Sequence, residues 1–189
     1  FADPPGTSDR AHTEKLLRLP HTLWCFQPHR GAPPAGELPA LARGHITFGS
    51  FNHIAKLNER VLQLWAQLLS RIPDSRLLIL AVPDEIVTAR IGAELAGIDP
   101  GRVSVLGRLD RTEYWRRFAE VDIALDPFPY SGGATTAETL WMGVPVVTLA
   151  GDFGFSRSAT TILSNIGLQH LVARDADEYL DAAATLAAD

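Results

Sequence analysis

Short apolar runs, largely unbroken by polar residues, recur through most of this chain and alternate with longer segments of helical periodicity. These runs are apolar at nearly every position rather than at every second one, so both faces of each predicted strand are expected to be buried. That pattern is typical of a parallel sheet with helices packed on both sides. We therefore predict a doubly wound α/β domain over residues 44–189, with strands at 45–51, 76–80, 102–107, 122–126, 144–149 and 170–173.

The segments between these strands carry signals for the start and end of helices. Asn58 precedes an apolar repeat of helical spacing and can cap that helix with its side chain. Asp110 and Glu113 have the spacing of a capping box. Helices are predicted after Asn58, from Ile86 to near Gly97, after Asp110, and over residues 135–142, 157–165 and 176–187.

The first 43 residues differ from the rest, because they are rich in proline and carry few apolar side chains. We interpret residues 1–43 as an extended connector, or the end of a preceding domain, with one short helical patch at residues 13–18. A segment with so little apolar surface is not expected to fold alone, and we predict that it docks on a neighbouring surface.

Composition excludes several classes of function. The formal net charge of -5 argues against a nucleic-acid-binding surface, which would be basic. No apolar run approaches the ~20 residues of a membrane-spanning helix, and Asp3 and Asp9 interrupt any signal-peptide pattern. The histidines have no metal-ligand spacing, so no metal site is expected. A single cysteine, Cys25, fits a reducing compartment such as the cytoplasm.

The loop at residues 126–136 is the first candidate binding site, since it follows a strand at the edge where doubly wound sheets bind ligands. It lacks the glycine patterns of dinucleotide-binding and P-loop proteins. Gly132 and Gly133 permit close approach of a ligand to the backbone, and Thr135 and Thr136 supply donors at a helix start, which would suit a diphosphate. A helix start capped by Thr135 and Glu138 explains the same residues equally well.

Two further loops contribute candidates at the same edge. Lys56 could neutralise a phosphate, although an isolated lysine is more commonly a solvated surface residue. His53 could be a polar contact or a base, and Arg111 and Tyr114 could flank a nucleobase or simply lie on the surface. Glu138 could accept hydrogen bonds from ribose hydroxyls.

Three long segments, residues 48–77, 125–151 and 162–180, resemble the O-linked GlcNAc transferase and SPINDLY family, in particular its bacterial members with tetratricopeptide repeats. The resemblance implies the C-terminal, Rossmann-like, nucleotide-sugar-binding lobe of a GT-B glycosyltransferase. Such enzymes transfer a sugar, here GlcNAc from UDP-GlcNAc, to Ser or Thr of proteins with inversion and without a metal or other cofactor. The family's general base lies in the N-terminal lobe, so that lobe and the repeats are missing partners of this chain.

The resemblance also assigns roles to individual positions. It implies that Lys56 stabilises the diphosphate leaving group and that Glu138 binds the ribose. This sequence departs from the family pattern at Ala134, where Thr or His is common, and at His53, where Asn or Gln is usual. The donor-binding set is His53, Lys56, Leu109 (through its backbone), Arg111, Tyr114, Gly132, Gly133, Ala134, Thr135, Thr136 and Glu138.

Two alternatives remain open at this point. One is a GDP-fucose-dependent transferase of the SPINDLY type. The other is a binding or scaffold domain that kept the fold without catalysis, an alternative that the missing side-chain contact at Ala134 keeps open. In either transferase, we expect the chain alone to bind a nucleoside diphosphate without catalysing transfer.

Overall fold

The computed structural model describes residues 2–19, 21–22, 24–80 and 85–189 and contains a six-stranded parallel sheet. The strand order is β3-β2-β1-β4-β5-β6. The strands are β1 (Thr47–Ser50), β2 (Arg76–Leu80), β3 (Val103–Leu106), β4 (Ile123–Leu125), β5 (Val146–Leu149) and β6 (Val172–Ala173). The predicted parallel sheet is confirmed.

Helices follow the strands in the predicted alternation. They are α1 (Pro39–Arg43), α2 (Glu59–Arg71), α3 (Glu85–Glu94), α4 (Arg111–Phe118), α5 (Ala134–Trp141), α6 (Ser158–Asn165) and α7 (Ala176–Ala188). Within the described ranges, no helix is long and apolar enough to cross a bilayer.

The two faces of the sheet bury different side chains, as a doubly wound domain requires. On β2, Leu77 and Ile79 pack with α2, α3 and α7, whereas Leu78 belongs to a second cluster with Trp115 and Phe118 of α4. Alternate residues of one strand therefore enter two separate cores. This explains why the strand sequences are apolar at consecutive positions.

The predicted caps are present, with one difference. The side chain of Asn58 accepts a hydrogen bond from the Val61 N–H, and that of Asp110 accepts one from the Glu113 N–H. The carboxylate of Glu113 does not complete a capping box, because it pairs with Arg117 one turn further along α4. A favourable i,i+4 ion pair on the helix surface replaces the second half of the motif.

The helix predicted at residues 13–18 is wrong, since this stretch is extended or bent. Arg18 instead forms ion pairs with Asp3 and Asp9, which fold the first residues back on themselves. The connector contacts the domain at several points; for example, the Ala40 N–H donates to Asp122, and the indole of Trp24 lies against Gly133. Pro20 and Leu23 of the connector lie outside the described residues.

The direction in which successive strands are added to the sheet reverses at its centre. From β1 the chain adds β2 and β3 on one side, then returns to place β4 on the other side of β1. The loops after β1 and β4 therefore diverge at the carboxyl edge and leave a crevice between them. Doubly wound domains bind their ligands at this switch point.

Candidate functional site

A cavity of about 550 Å³ opens at the carboxyl edge of the sheet, beside the switch point. This volume lies within the usual range for a small-molecule site. Six of the predicted site residues line it: His53, Leu109, Arg111, Tyr114, Thr135 and Glu138. They come from the loops after β1 and β3 and from the first turns of α4 and α5, so the fold brings together residues that are distant in sequence.

Helix α5 begins at Ala134, with Gly133 at the N-cap position and no side-chain cap. Thr135 lies two residues after the N-cap position and therefore does not cap the helix; instead it lines the cavity. The first N–H groups of any α-helix have no partner within the helix, and they carry a partial positive charge. The start of α5 can therefore donate hydrogen bonds to an anion.

Glu138 does not cap α5 either, because its carboxylate accepts a 2.8 Å hydrogen bond from the hydroxyl of Tyr114 on α4. Burial, reinforced by Glu138, raises the pKa of the Tyr114 hydroxyl far above its usual value. Tyr114 therefore remains a protonated donor, and its ring packs edge-on against Phe51. This contact holds both Glu138 and Tyr114 at the wall of the cavity.

Lys56 connects the two loops that diverge at the switch point. Its Nζ donates to Asn52 Oδ1 and to the Ser131 carbonyl oxygen, each at 3.0 Å. An ammonium group has three N–H donors, so these bonds leave one for a ligand. Burial lowers the pKa of Lys56, and the nearby carboxylate of Asp126 opposes that shift. Lys56 is thus a partly buried cation held by two hydrogen bonds rather than a freely solvated surface lysine.

The two glycines before α5 are required by close contacts. A Cβ atom on Gly132 would collide with Thr136 Oγ1 and Asp126 Oδ1, and one on Gly133 would collide with the Trp24 ring. The Trp24 contact had no signal in the sequence, because it joins the connector to a loop more than a hundred residues later.

Thr136 and His53 occupy less direct positions than predicted. The hydroxyl of Thr136 is buried, and it has no hydrogen-bond partner among the described residues. His53 Nδ1 accepts a hydrogen bond from the Ala55 N–H and so caps the 3₁₀ turn Ile54–Lys56.

Asn52 lines the cavity and is hydrogen-bonded to Asp126, although neither was predicted as a site residue. Asp126 is 1% exposed, and burial raises its pKa to about 6 despite three hydrogen bonds to the carboxylate. A signal was available, since an acid at the end of an apolar strand in a doubly wound fold lies at the ligand edge. Asn52 is an amide beside His53, and nothing in its local sequence sets it apart.

The described part of the chain contains no group of three or more His, Cys, Asp or Glu residues that could hold a metal ion. The arginines and the glutamate that line the cavity are Arg108, Arg111 and Glu138, and Lys56 is not among its lining residues.

A family model described as glycosyl transferase family 41 matches residues 37–189. The chain belongs to glycosyltransferase family 41. This match confirms the resemblance inferred from the three sequence segments.

Relatives in family 41 align along the whole chain. A protein of Oryza sativa subsp. japonica named as a probable UDP-N-acetylglucosamine–peptide N-acetylglucosaminyltransferase SPINDLY is 42% identical over 195 residues. The protein of the same name from Solanum lycopersicum is 40% identical over 194 residues. Each alignment covers 100% of this chain but 21% of the relative. The chain therefore spans about a fifth of the length of the curated family 41 relatives that it matches.

A solved structure of an O-GlcNAc transferase confirms the fold. The K341M mutant of Thermobaculum terrenum O-GlcNAc transferase superimposes with a TM-score of 0.92 at 36% identity, over 100% of this chain and 36% of that one. The architecture is that of the C-terminal, Rossmann-like lobe of a GT-B glycosyltransferase, as the resemblance implied.

Proposed function

We propose that this chain is the donor-binding lobe of a protein O-glycosyltransferase, which transfers GlcNAc from UDP-GlcNAc to Ser or Thr hydroxyls of a protein acceptor. The transfer inverts the anomeric centre and uses no metal. One observation carries the proposal. Lys56 Nζ is bound to the carbonyl of Ser131, three residues before α5, so a held positive charge and the uncapped helix start lie together.

This pairing suits a diphosphate leaving group. When the bond from the sugar to the nucleotide breaks, negative charge develops on the terminal phosphate. A lysine and a helix N-terminus that are already in place stabilise that charge without rearranging during the reaction. Lys56 thereby supplies the stabilisation that a metal ion provides in other transferases.

The remaining cavity residues suit the nucleoside. Glu138 is placed to accept a hydrogen bond from a ribose hydroxyl, since Tyr114 holds its carboxylate at the cavity wall. Leu109 and Arg111, which follow β3, line the same cavity and would flank the base. Gly132, Gly133, Ala134 and the threonines after them would surround the phosphates.

In this proposal the chain supplies half of an active site. The general base that deprotonates the acceptor hydroxyl belongs to a preceding lobe, of which residues 1–43 form the end, and tetratricopeptide repeats present the acceptor. The 21% share of the relatives that this chain covers leaves room for both. A cytoplasmic location agrees with the single cysteine.

Calorimetric titration of the chain with UDP and with GDP tests the donor assignment. We expect UDP to bind, GDP to bind more weakly, and UDP-GlcNAc not to be turned over by the chain alone. Tighter binding of GDP would favour the second candidate, the GDP-fucose donor implied by the resemblance to SPINDLY. Binding of neither nucleotide would favour the scaffold alternative, which is supported by the methyl group of Ala134 at the first position of α5.

A further inference from the structure

The buried carboxylate of Asp126 is hydrogen-bonded to three segments at the carboxyl edge of the sheet. It accepts hydrogen bonds from the Gly132 N–H at 2.7 Å, from Thr148 Oγ1 at 2.7 Å and from Asn52 Nδ2 at 3.3 Å. These donors belong to the loop before α5, to β5 and to the loop after β1. A carboxylate at the end of β4 therefore joins both sides of the switch point.

One of these bonds sets the orientation of the Asn52 amide. A carboxylate only accepts hydrogen bonds, so Asn52 must turn its NH₂ group towards Asp126. The amide oxygen then faces the opposite way, where it accepts a bond from Lys56 Nζ at 3.0 Å. If the acid were replaced by an amide, Asn52 could turn over and place its NH₂ group against the ammonium.

A second bond sets the position of the other acceptor for Lys56. The Gly132 N–H and the Ser131 carbonyl belong to the same peptide unit, so anchoring the N–H to Asp126 also fixes the direction of the carbonyl. That carbonyl accepts the second bond from Lys56 Nζ. Both acceptors that hold the ammonium thus depend on one carboxylate.

We propose that Asp126 is a positioning residue, which acts through Asn52 and through the Gly132 peptide to aim the Lys56 ammonium at the diphosphate of the sugar donor. Asp126 is too deeply buried to touch the donor itself, and its negative charge also favours the protonated form of Lys56. The role of Asp126 in donor binding rests on the function proposed above. Its effect on the position of the Lys56 ammonium does not depend on that function.

The sequence offers an unusually clean probe, since Lys15 and Lys56 are the only two lysines in the chain. In protein labelled with ¹³C and ¹⁵N at lysine, NMR titration of the two side chains reports the pKa of Lys56 and carries an internal reference in Lys15. We expect Asp126→Asn to lower the pKa of Lys56 and to shift its Cε signal, with the Lys15 signal unmoved.

The matched control is Asp122→Asn. Asp122 is a buried acid at the other end of β4, where it accepts bonds from the Thr47 and Ala40 N–H groups, away from the site. Asp122→Asn should leave the Lys56 signals unchanged. Asn52→Leu removes the connecting amide without touching the acid, and it should move the Lys56 signals even if Asp126→Asn does not fold. Unchanged Lys56 signals in Asn52→Leu and in any folded Asp126→Asn would overturn the proposal.

A double-mutant cycle then tests the consequence for the donor. Asp126→Asn should weaken UDP binding by roughly tenfold, because it loosens a charge-assisted contact. In the Lys56→Ala background, the same substitution should have little further effect. Equal losses in both backgrounds would show that Asp126 does not act through Lys56. If the unaltered chain binds neither UDP nor GDP, the proposed function fails, while the lysine spectra still decide whether Asp126 positions Lys56.

Discussion

Lys56 Nζ lies 3.0 Å from the carbonyl oxygen of Ser131, and this single bond joins the loop after β1 to the loop that starts α5. Both loops follow strands that lie on either side of the switch point. The bond therefore places a positive charge at the same point of the crevice as a helix N-terminus, although the two residues are 75 positions apart.

Lys56→Ala should weaken binding of UDP by about 1–3 kcal/mol, the usual range for a charge-assisted hydrogen bond. Lys15→Ala is the matched control, since Lys15 is exposed in the connector and is the only other lysine. Calorimetry on both variants measures the difference. Equal affinities for the two variants would remove Lys56 from the binding site.

Gly132→Ala should destabilise the fold by roughly 1–3 kcal/mol, as expected for overpacking at a buried position. The new methyl group would collide with Thr136 Oγ1 and Asp126 Oδ1. Gly92→Ala provides the contrast, because a Cβ there meets nothing within 4 Å and lies inside α3. It should stabilise by about 0.5–1 kcal/mol. Urea denaturation measures the free energy of unfolding, which should fall in Gly132→Ala and rise in Gly92→Ala.

The titration of Asp126 should affect stability and donor binding in opposite directions. Burial raises the pKa of Asp126 from 3.8 to about 6, so between these values the folded chain binds a proton that the unfolded chain does not. Its contribution to stability therefore rises as the pH falls through this window. Affinity for UDP-GlcNAc should fall over the same window, because a neutral carboxyl group accepts weaker hydrogen bonds from Asn52 and Gly132, which position the two acceptors of Lys56.

The control for this pH dependence is Asp126→Asn, which should flatten the pH profile of stability and the pH profile of UDP-GlcNAc affinity. UDP-GlcNAc is the suitable ligand, because its diphosphate has no terminal phosphate group to titrate in this window. His53 lines the cavity, so the comparison is made in a His53→Gln background. Parallel pH profiles for Asp126→Asn and its parent would assign the dependence to another group.

Glu138 should make the site distinguish ribose from deoxyribose. UDP should bind more tightly than 2′-deoxy-UDP by roughly 1–2 kcal/mol if Glu138 accepts a hydrogen bond from the missing hydroxyl. Glu138→Ala should abolish that preference. Tyr114→Phe removes the 2.8 Å bond that orients the carboxylate and should reduce the preference without abolishing it. Equal binding of the two nucleotides by the unaltered chain would contradict the role of Glu138.

The sheet and most helices were predictable because their signals are local. Apolar strands and capping residues such as Asn58 determine structure within a few positions of themselves. The same reasoning failed at residues 13–18, where the ion pairs of Arg18 with Asp3 and Asp9 outweigh a weak helical pattern. Periodicity alone does not reveal such competition between local propensity and tertiary contact.

The site was predictable in outline but not in its connections. Lys56 and Glu138 could be chosen because strand ends meet at one edge and because family resemblance supported them. The hydrogen bond from Asn52 to Asp126 and the packing of the Trp24 ring against Gly133 could not, because each joins residues far apart in sequence. Such contacts depend on the packed positions of several elements, which no sequence window contains.

The most direct test of the central claim is an NMR titration of the labelled chain with UDP. The claim predicts that the Lys56 side-chain signal and the backbone amides of residues 133–136 shift together and saturate at one concentration, while Lys15 stays unmoved. Saturable shifts confined to other parts of the chain, with Lys56 and the start of α5 unchanged, would contradict it.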